Sequence, residues 1–210
     1  LRPFTRREMH DILTGILGGD DKLTIAEIAK ALDNLTGGHP LSFSETLRVL
    51  IEEGILVRDS DNWQFRSASP AAQNLHQTLA QRSESRLDGQ GVSAWEIASI
   101  LYLIEAPIDE DQLAHLSDLR KSRFRRTIDR LEGEGLIIRS AVSGSSYISL
   151  AHEAVREAVR RRYADSLDET RLDLAARIDE LDVIDSNFVY LKVRLLDDAA
   201  EGLEAVDALE

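Results

Sequence analysis

The chain has 210 residues, 43 % of them hydrophobic, no cysteine and a net charge of −13. That is apolar material enough for one or two domains; the lack of cysteine excludes a disulfide scaffold and a thiolate metal site and fits a reducing, cytoplasmic setting. No apolar run approaches the roughly 20 residues of a membrane-spanning helix and no signal peptide is legible, so no membrane partner is expected.

Leu1 in place of a methionine leads to the expectation of a piece of something longer. The charge is unevenly placed. Residues 119–163 carry 11 basic and 5 acidic side chains, whereas residues 164–210 carry 4 basic and 14 acidic ones. A basic middle is followed by an acidic tail.

In chain order, Thr5-Arg6-Arg7-Glu8 reads as a capping box opening a helix striped by Met9, Ile12, Leu13, Ile16 and Leu17, which Gly18-Gly19 ends. A second box, Thr24-Ile25-Ala26-Glu27, is expected to start a helix that buries Ile25, Ile28, Ala29 and Leu32. Thr36-Gly37-Gly38-His39-Pro40 breaks the chain before a third helix with Phe43, Leu47, Leu50 and Ile51, stopped at Gly54. Residues 55–58 and 63–66 read as a hairpin around the polar turn 59–62. A helix from Ala71 to about Ser85 with Leu75 and Leu79 inward follows, and Asp88-Gly89-Gln90-Gly91 is the most linker-like stretch.

The design then recurs. Ser93-Ala94-Trp95-Glu96 is expected to cap a helix with Ile97, Ile100, Leu101 and Ile104, followed by a short helix with Leu113 and Leu116 and a third with Phe124, Ile128 and Leu131. Gly135 precedes the strand 136–139, Val142 to Gly144 turn the chain, and residues 147–150 return. Leu50, Gly54 and Arg58 recur as Leu131, Gly135 and Arg139 with three aliphatic residues between glycine and arginine, a repeat displaced by 81 residues. Three helices followed by a β-hairpin describe a winged helix, so the chain is expected to hold one such unit and one lookalike. Next, His152 is expected in the first turn of a helix striped by Ala154, Val155, Ala158 and Val159, a setting suited to meeting an anion. The plainer reading is a capping histidine. Beyond Tyr163, two acidic helices are expected, one with Leu172, Ala175, Ala176 and Ile178 inward, the other with Phe188, Leu191, Leu195 and Leu196. They read as the start of a helical-repeat array cut short.

Catalysis finds little support in these residues. There is no phosphate-binding glycine loop ending in Lys-Ser or Lys-Thr and no nucleophile elbow, and the five histidines show no metal-ligand spacing. No catalytic residue, metal ligand or cofactor is therefore expected in the chain itself. The third helix of the second unit carries Arg123, Arg126 and Arg130 at a three-then-four spacing, hence on one face. In a winged helix that is the element that enters the major groove, so the face is a candidate for DNA or an acidic partner. A tandem winged-helix DNA-binding regulator and an acidic protein-interaction module are accordingly the alternatives to the reading below.

With the pieces in order, the chain resembles the segment that follows the nucleotide-binding core in STAND-class signalling ATPases, the relatives of AAA+ proteins that include the NB-ARC group. Leu1-Arg2-Pro3-Phe4-Thr5 is similar to the exit from the last core strand, and Thr36-Gly37-Gly38-His39-Pro40 to that family's Gly-x-Pro motif, with His39 where Asn is commoner. His152-Glu153 resembles the histidine motif ending the family's winged helix, with Ala151 where Met is usual and Glu153 where Asp is usual.

The resemblance implies a mainly α chain: a helical lid over residues 1–86, a winged helix over 87–164, and acidic helices opening a repeat array over 165–210. It implies a regulatory, non-catalytic segment whose Gly38, Pro40 and His152 lie near ADP or ATP with magnesium held by the parent protein. The first partner is then the parent's own nucleotide-binding core, with other proteins reached through the repeats. The P-loop and Walker B acid would lie upstream, and the parent's output domain, a Ser/Thr kinase, a DNA-binding regulator or a cyclase, is left open.

Overall fold

A computed structural model of the chain describes residues 3–18, 22–38, 40–59, 62–69, 72, 74–142, 144–180 and 186–207. It is mainly helical with small antiparallel sheets, the coarse fold class expected of the sequence. By its contacts the chain divides into two units, residues Leu1–Ser83 with Ala151–Val155, and Glu84–Leu150 with Arg156–Glu210. Among the described residues no helix is long and apolar enough to cross a membrane. Leu1, Arg2, Gly19, His39, the turn at Ser60 and Asp61, and Ala71 lie outside the described residues.

In the first unit, the Thr5 hydroxyl accepts the Glu8 N–H while the Glu8 carboxylate accepts the Thr5 N–H, so α1 runs Arg6–Leu17 behind a complete capping box. Its buried stripe is Met9, Leu13 and Leu17; Ile16 is exposed. Helix α2, Lys22–Thr36, begins two residues before the box at Thr24 and buries Ile25, Ile28, Ala29 and Leu32 as their spacing requires. Helix α3, Pro40–Glu52, has the proline at its first position, where the missing N–H costs nothing. It buries Phe43, Leu47, Val49 and Leu50 and leaves Ile51 exposed. Strands β1, Leu56–Asp59, and β2, Asn62–Phe65, pair antiparallel from Leu56↔Phe65 to Asp59↔Asn62. The Trp63 Nε1–H donates 2.7 Å to the Leu17 carbonyl, so the hairpin caps the end of α1.

Helix α4, Leu75–Gln90, runs straight through the expected linker. Leu87 is fully buried there, and only Gly91, at φ +82°, ends the helix, its N–H donating to the Leu87 and Asp88 carbonyls. The next helix, α5 (Val92–Ile104), is capped by the Gly91 backbone; Ser93, the expected cap, is buried inside it. In place of a linker, Asp88 accepts the Trp95 indole N–H at 2.9 Å.

After α5 come β3 (Ile108–Asp109), α6 (Glu110–Leu116), α7 (Lys121–Gly133), β4 (Ile137–Val142) and β5 (Ser145–Leu150). The strands form one antiparallel sheet in the order β3-β5-β4, with Ile108↔Ile148 and Ile137↔Leu150 in register. Strand β3 carries no sequence signal, because two residues after a proline cannot show alternation. Val142, expected in the turn, still pairs with Ser145. Under the sheet lie Ile97, Leu101, Leu113, Phe124, Ile128 and Leu131, all buried, each contributing roughly 1.5–3 kcal/mol of burial.

The two glycine junctions are alike in backbone detail. Gly54 and Gly135 sit at φ +65° and +66°, and the Ile55 and Leu136 N–H groups each donate 2.9 Å to the Leu50 and Leu131 carbonyls five residues back. This left-handed cap suits glycine because no Cβ opposes it, and it brings buried Leu50 beside Ile55 and buried Leu131 beside Leu136.

Helix α8, Glu153–Arg162, buries Ala154, Val155, Ala158 and Val159, as its stripe predicts. The acidic helices are α9, Leu167–Asp179, and α10, Ser186–Asp207. Their apolar phase partly corrects the sequence reading. In α9 Leu174, Ala175 and Ile178 are buried while Leu172 and Ala176 are exposed. In α10 Phe188, Leu191, Leu195 and Ala199 are buried and Leu196 is exposed.

Candidate functional site

The Thr36–Pro40 turn is built to hold the segment that leads into α1. The Thr36 hydroxyl donates 2.6 Å to the Leu32 carbonyl and accepts the Gly38 N–H at 3.2 Å. Gly37 and Gly38 turn left-handed at φ +55° and +77°. The Gly38 carbonyl then accepts the Phe4 N–H at 2.7 Å, and the Phe4 ring meets Phe43 edge-on with centroids 5.8 Å apart. Arg6 reaches the same region, its guanidinium donating to the Asp33 carboxylate at 2.7 and 3.0 Å. A Cβ on Gly38 would lie 2.2 Å from the Phe4 carbonyl oxygen, so glycine here is required by a close approach of two backbones. Both polar groups of Gly38 are thereby used. Of the expected nucleotide-proximal pair, Pro40 alone, half-buried at the start of α3, presents a surface.

His152 stands one residue before α8, not within its first turn. Its carbonyl accepts the Val155 N–H at 3.1 Å, which starts the helix, and its side chain is half-buried. The segment Ala151–Val155 counts with the first unit, and Ala154 belongs to that unit's apolar core alongside Leu75, Leu79 and Phe43. His152, Gly38 and Pro40 are thus members of one unit although more than a hundred residues separate them. Sequence periodicity carries no signal for that grouping.

The basic helix α7 has the face its spacing predicts. Phe124, Thr127, Ile128 and Leu131 are buried; Arg123, Arg126 and Arg130 are exposed, as are Arg120, Lys121 and Arg125. None of these six cationic side chains has an ion pair or hydrogen bond among the described residues. Arg139 on β4 is the contrast. Burial pulls its pKa down, but the hydrogen-bonded Asp129 and the neighbouring Glu110 and Glu132 outweigh that and raise it.

Three further arginines in the second unit were not distinguishable in the sequence. Arg194 on α10 donates to the Leu103 carbonyl, to the Ile104 carbonyl at 3.4 Å and to the Glu105 carboxylate at 2.8 Å, closing the C-terminus of α5. Arg156 donates 3.3 Å to the Glu105 carbonyl. Arg177 on α9 bridges the Leu116 carbonyl, Glu96 and Asp173. Cations at helix C-termini satisfy orphan carbonyls and the negative dipole end together, and so the acidic helices are fastened by their few basic residues. A cavity of about 780 Å³ opens beside Arg194, walled by Pro107, Ile108, Tyr147, Phe188 and Tyr190.

Among the described residues no three or more His, Asp or Glu side chains gather to hold a metal ion. The chain matches no protein-family model, no curated protein and no solved structure.

Proposed function

We propose that the chain is the regulatory arm of a multidomain STAND-type signalling ATPase: a helical lid, a winged helix and the opening of a helical-repeat array. The observation that carries the reading is the membership of His152, Gly38 and Pro40 in one unit. A lid motif that lies near adenine and a histidine that meets phosphate must serve one nucleotide, and residues of one unit fit that demand. The order of the folded parts supports it further. Helices with a two-stranded hairpin come first, three helices with the β3-β5-β4 sheet follow, the elements that a winged helix would need, and a fastened helical pair comes last.

In this mechanism the chain's own residues bind and position. Gly38 holds the segment after the parent's core against the lid, Pro40 presents an apolar ring to the base, and His152 donates a hydrogen bond to a phosphate. Bound ADP supplies the negative charge and the staple that favour the closed arrangement, and it does so only by its differential affinity for that state. The test is His152→Ala in the parent protein. Loss of a charge-assisted hydrogen bond worth roughly 1.5–3 kcal/mol speeds ADP release and weakens closure by about 10- to 150-fold. Basal output rises, while the fold survives because Ala154, Val155, Ala158 and Val159 are untouched. Unchanged ADP release with slightly lower thermal stability would leave His152 a capping residue and remove the nucleotide from the reading.

A further inference from the structure

We propose that the exposed face of α7 is a binding surface for the phosphate backbone of duplex nucleic acid, an activity independent of the nucleotide switch. Arg120, Lys121, Arg123, Arg125, Arg126 and Arg130 all face solvent and none has a partner among the described residues. This is unexpected in a chain of net charge −13 with acidic helices in the same unit. Several of those acids are engaged within the acidic helices themselves: Asp168 and Asp198 with Arg171, Asp173 with Arg177 and Asp179 with Lys192. The one acid exposed on the helix itself, Asp129, is taken by Arg139. The surface is thus kept cationic although anions are abundant in the chain.

The composition of the face selects the occupant. Its exposed residues are Lys121, Ser122, Arg123, Arg125, Arg126, Asp129, Arg130 and Gly133, without an aromatic or aliphatic side chain. Protein interfaces are organised around buried aromatic and aliphatic anchors with charge depleted at the centre, and single strands need aromatic platforms on which bases stack. Neither is present. Phosphate contacts require only arginine and lysine. A helix about 10–12 Å across matches the roughly 12 Å width of the major groove. Arg123, Arg126 and Arg130 run along one flank for about 10 Å at 1.5 Å per residue, long enough to meet two or three phosphates.

The experiment is fluorescence anisotropy of the full chain with a labelled 20-base-pair duplex across a salt series. With five to six phosphates neutralised, affinity falls about a thousandfold between 50 and 200 mM salt. The triple variant Arg123→Ala, Arg126→Ala, Arg130→Ala lowers the slope of log affinity against log salt by two to three. The corresponding triple lysine variant retains the slope. Folding of both is checked by circular dichroism, and exposed side chains without partners leave it intact. No duplex binding at about 50 mM salt would overturn the proposal, as would a slope the alanine variant leaves unchanged. Tighter binding to a polyglutamate peptide than to the duplex would also overturn it, by assigning the face to an acidic protein.

Discussion

Replacing Gly38 by alanine tests how the chain is joined to its first helical layer. The added Cβ falls 2.2 Å from the Phe4 carbonyl oxygen and 3.2 Å from the Phe4 carbonyl carbon and nitrogen. Backbone atoms cannot rotate aside, so Phe4 must move, breaking its 2.7 Å hydrogen bond to Gly38 and its edge contact with Phe43. Three costs add: about 1–2 kcal/mol for a left-handed alanine, 0.5–1.5 kcal/mol, roughly, for the hydrogen bond, and about 0.5–1.5 kcal/mol for the aromatic pair. The sum is about 2–5 kcal/mol. Gly37→Ala is the internal control, because Gly37 is also left-handed at φ +55° but has nothing within 4 Å of its Cβ position. It should cost only the conformational part, about 1–2 kcal/mol. Hydrogen exchange at first-unit amides such as Leu32, followed in urea, reports that unit alone. Phe4→Ala should then cost little in the Gly38→Ala background, since the ring is already displaced. Equal destabilisation by the two glycine substitutions, or full additivity with Phe4→Ala, would refute the close-approach argument.

Two other expectations follow from the side-chain contacts. Arg194→Ala leaves the Leu103 and Ile104 carbonyls unpaired and should destabilise the docking of α10 by roughly 1.5–3 kcal/mol, seen as earlier exchange of α10 amides; Arg194→Lys should not restore it, since one ammonium cannot reproduce the forked geometry. Glu52 has its pKa lowered below the ordinary 4.5, chiefly by its hydrogen bond from Arg82. A depressed carboxyl pKa contributes stability above the unfolded value and loses it as pH falls through the folded one, so the Glu52 resonance should titrate below the ordinary carboxylate range and move upward in Arg82→Gln; an unmoved midpoint would remove Arg82 as the cause.

Much of this architecture is local, and local features are written in consecutive residues. The capping box at Thr5, the buried stripes of α2 and α8, the split between Phe124, Ile128, Leu131 and the arginines of α7, and the left-handed glycine caps at positions 54 and 135 each depend on a few neighbours along the chain. A hydroxyl three residues from a glutamate, an apolar period or a glycine before three aliphatics determines the backbone wherever the segment ends up. The tertiary structure decided what depends on a distant surface. Leu174, not Leu172, turns inward because α9 meets both α10 and the helices before it. Leu87 needs a buried seat, and so α4 continues through Gly89 against that glycine's own preference. Strand β3 exists only because β5 supplies its hydrogen bonds. The membership of His152 in one unit with Gly38 and Pro40, the grip of Gly38 on Phe4 and the unpaired state of Arg120 and of the five cations on α7 likewise depend on the folded chain. One chain's order of letters does not carry them, since the groups that meet, or fail to meet, lie tens of residues apart.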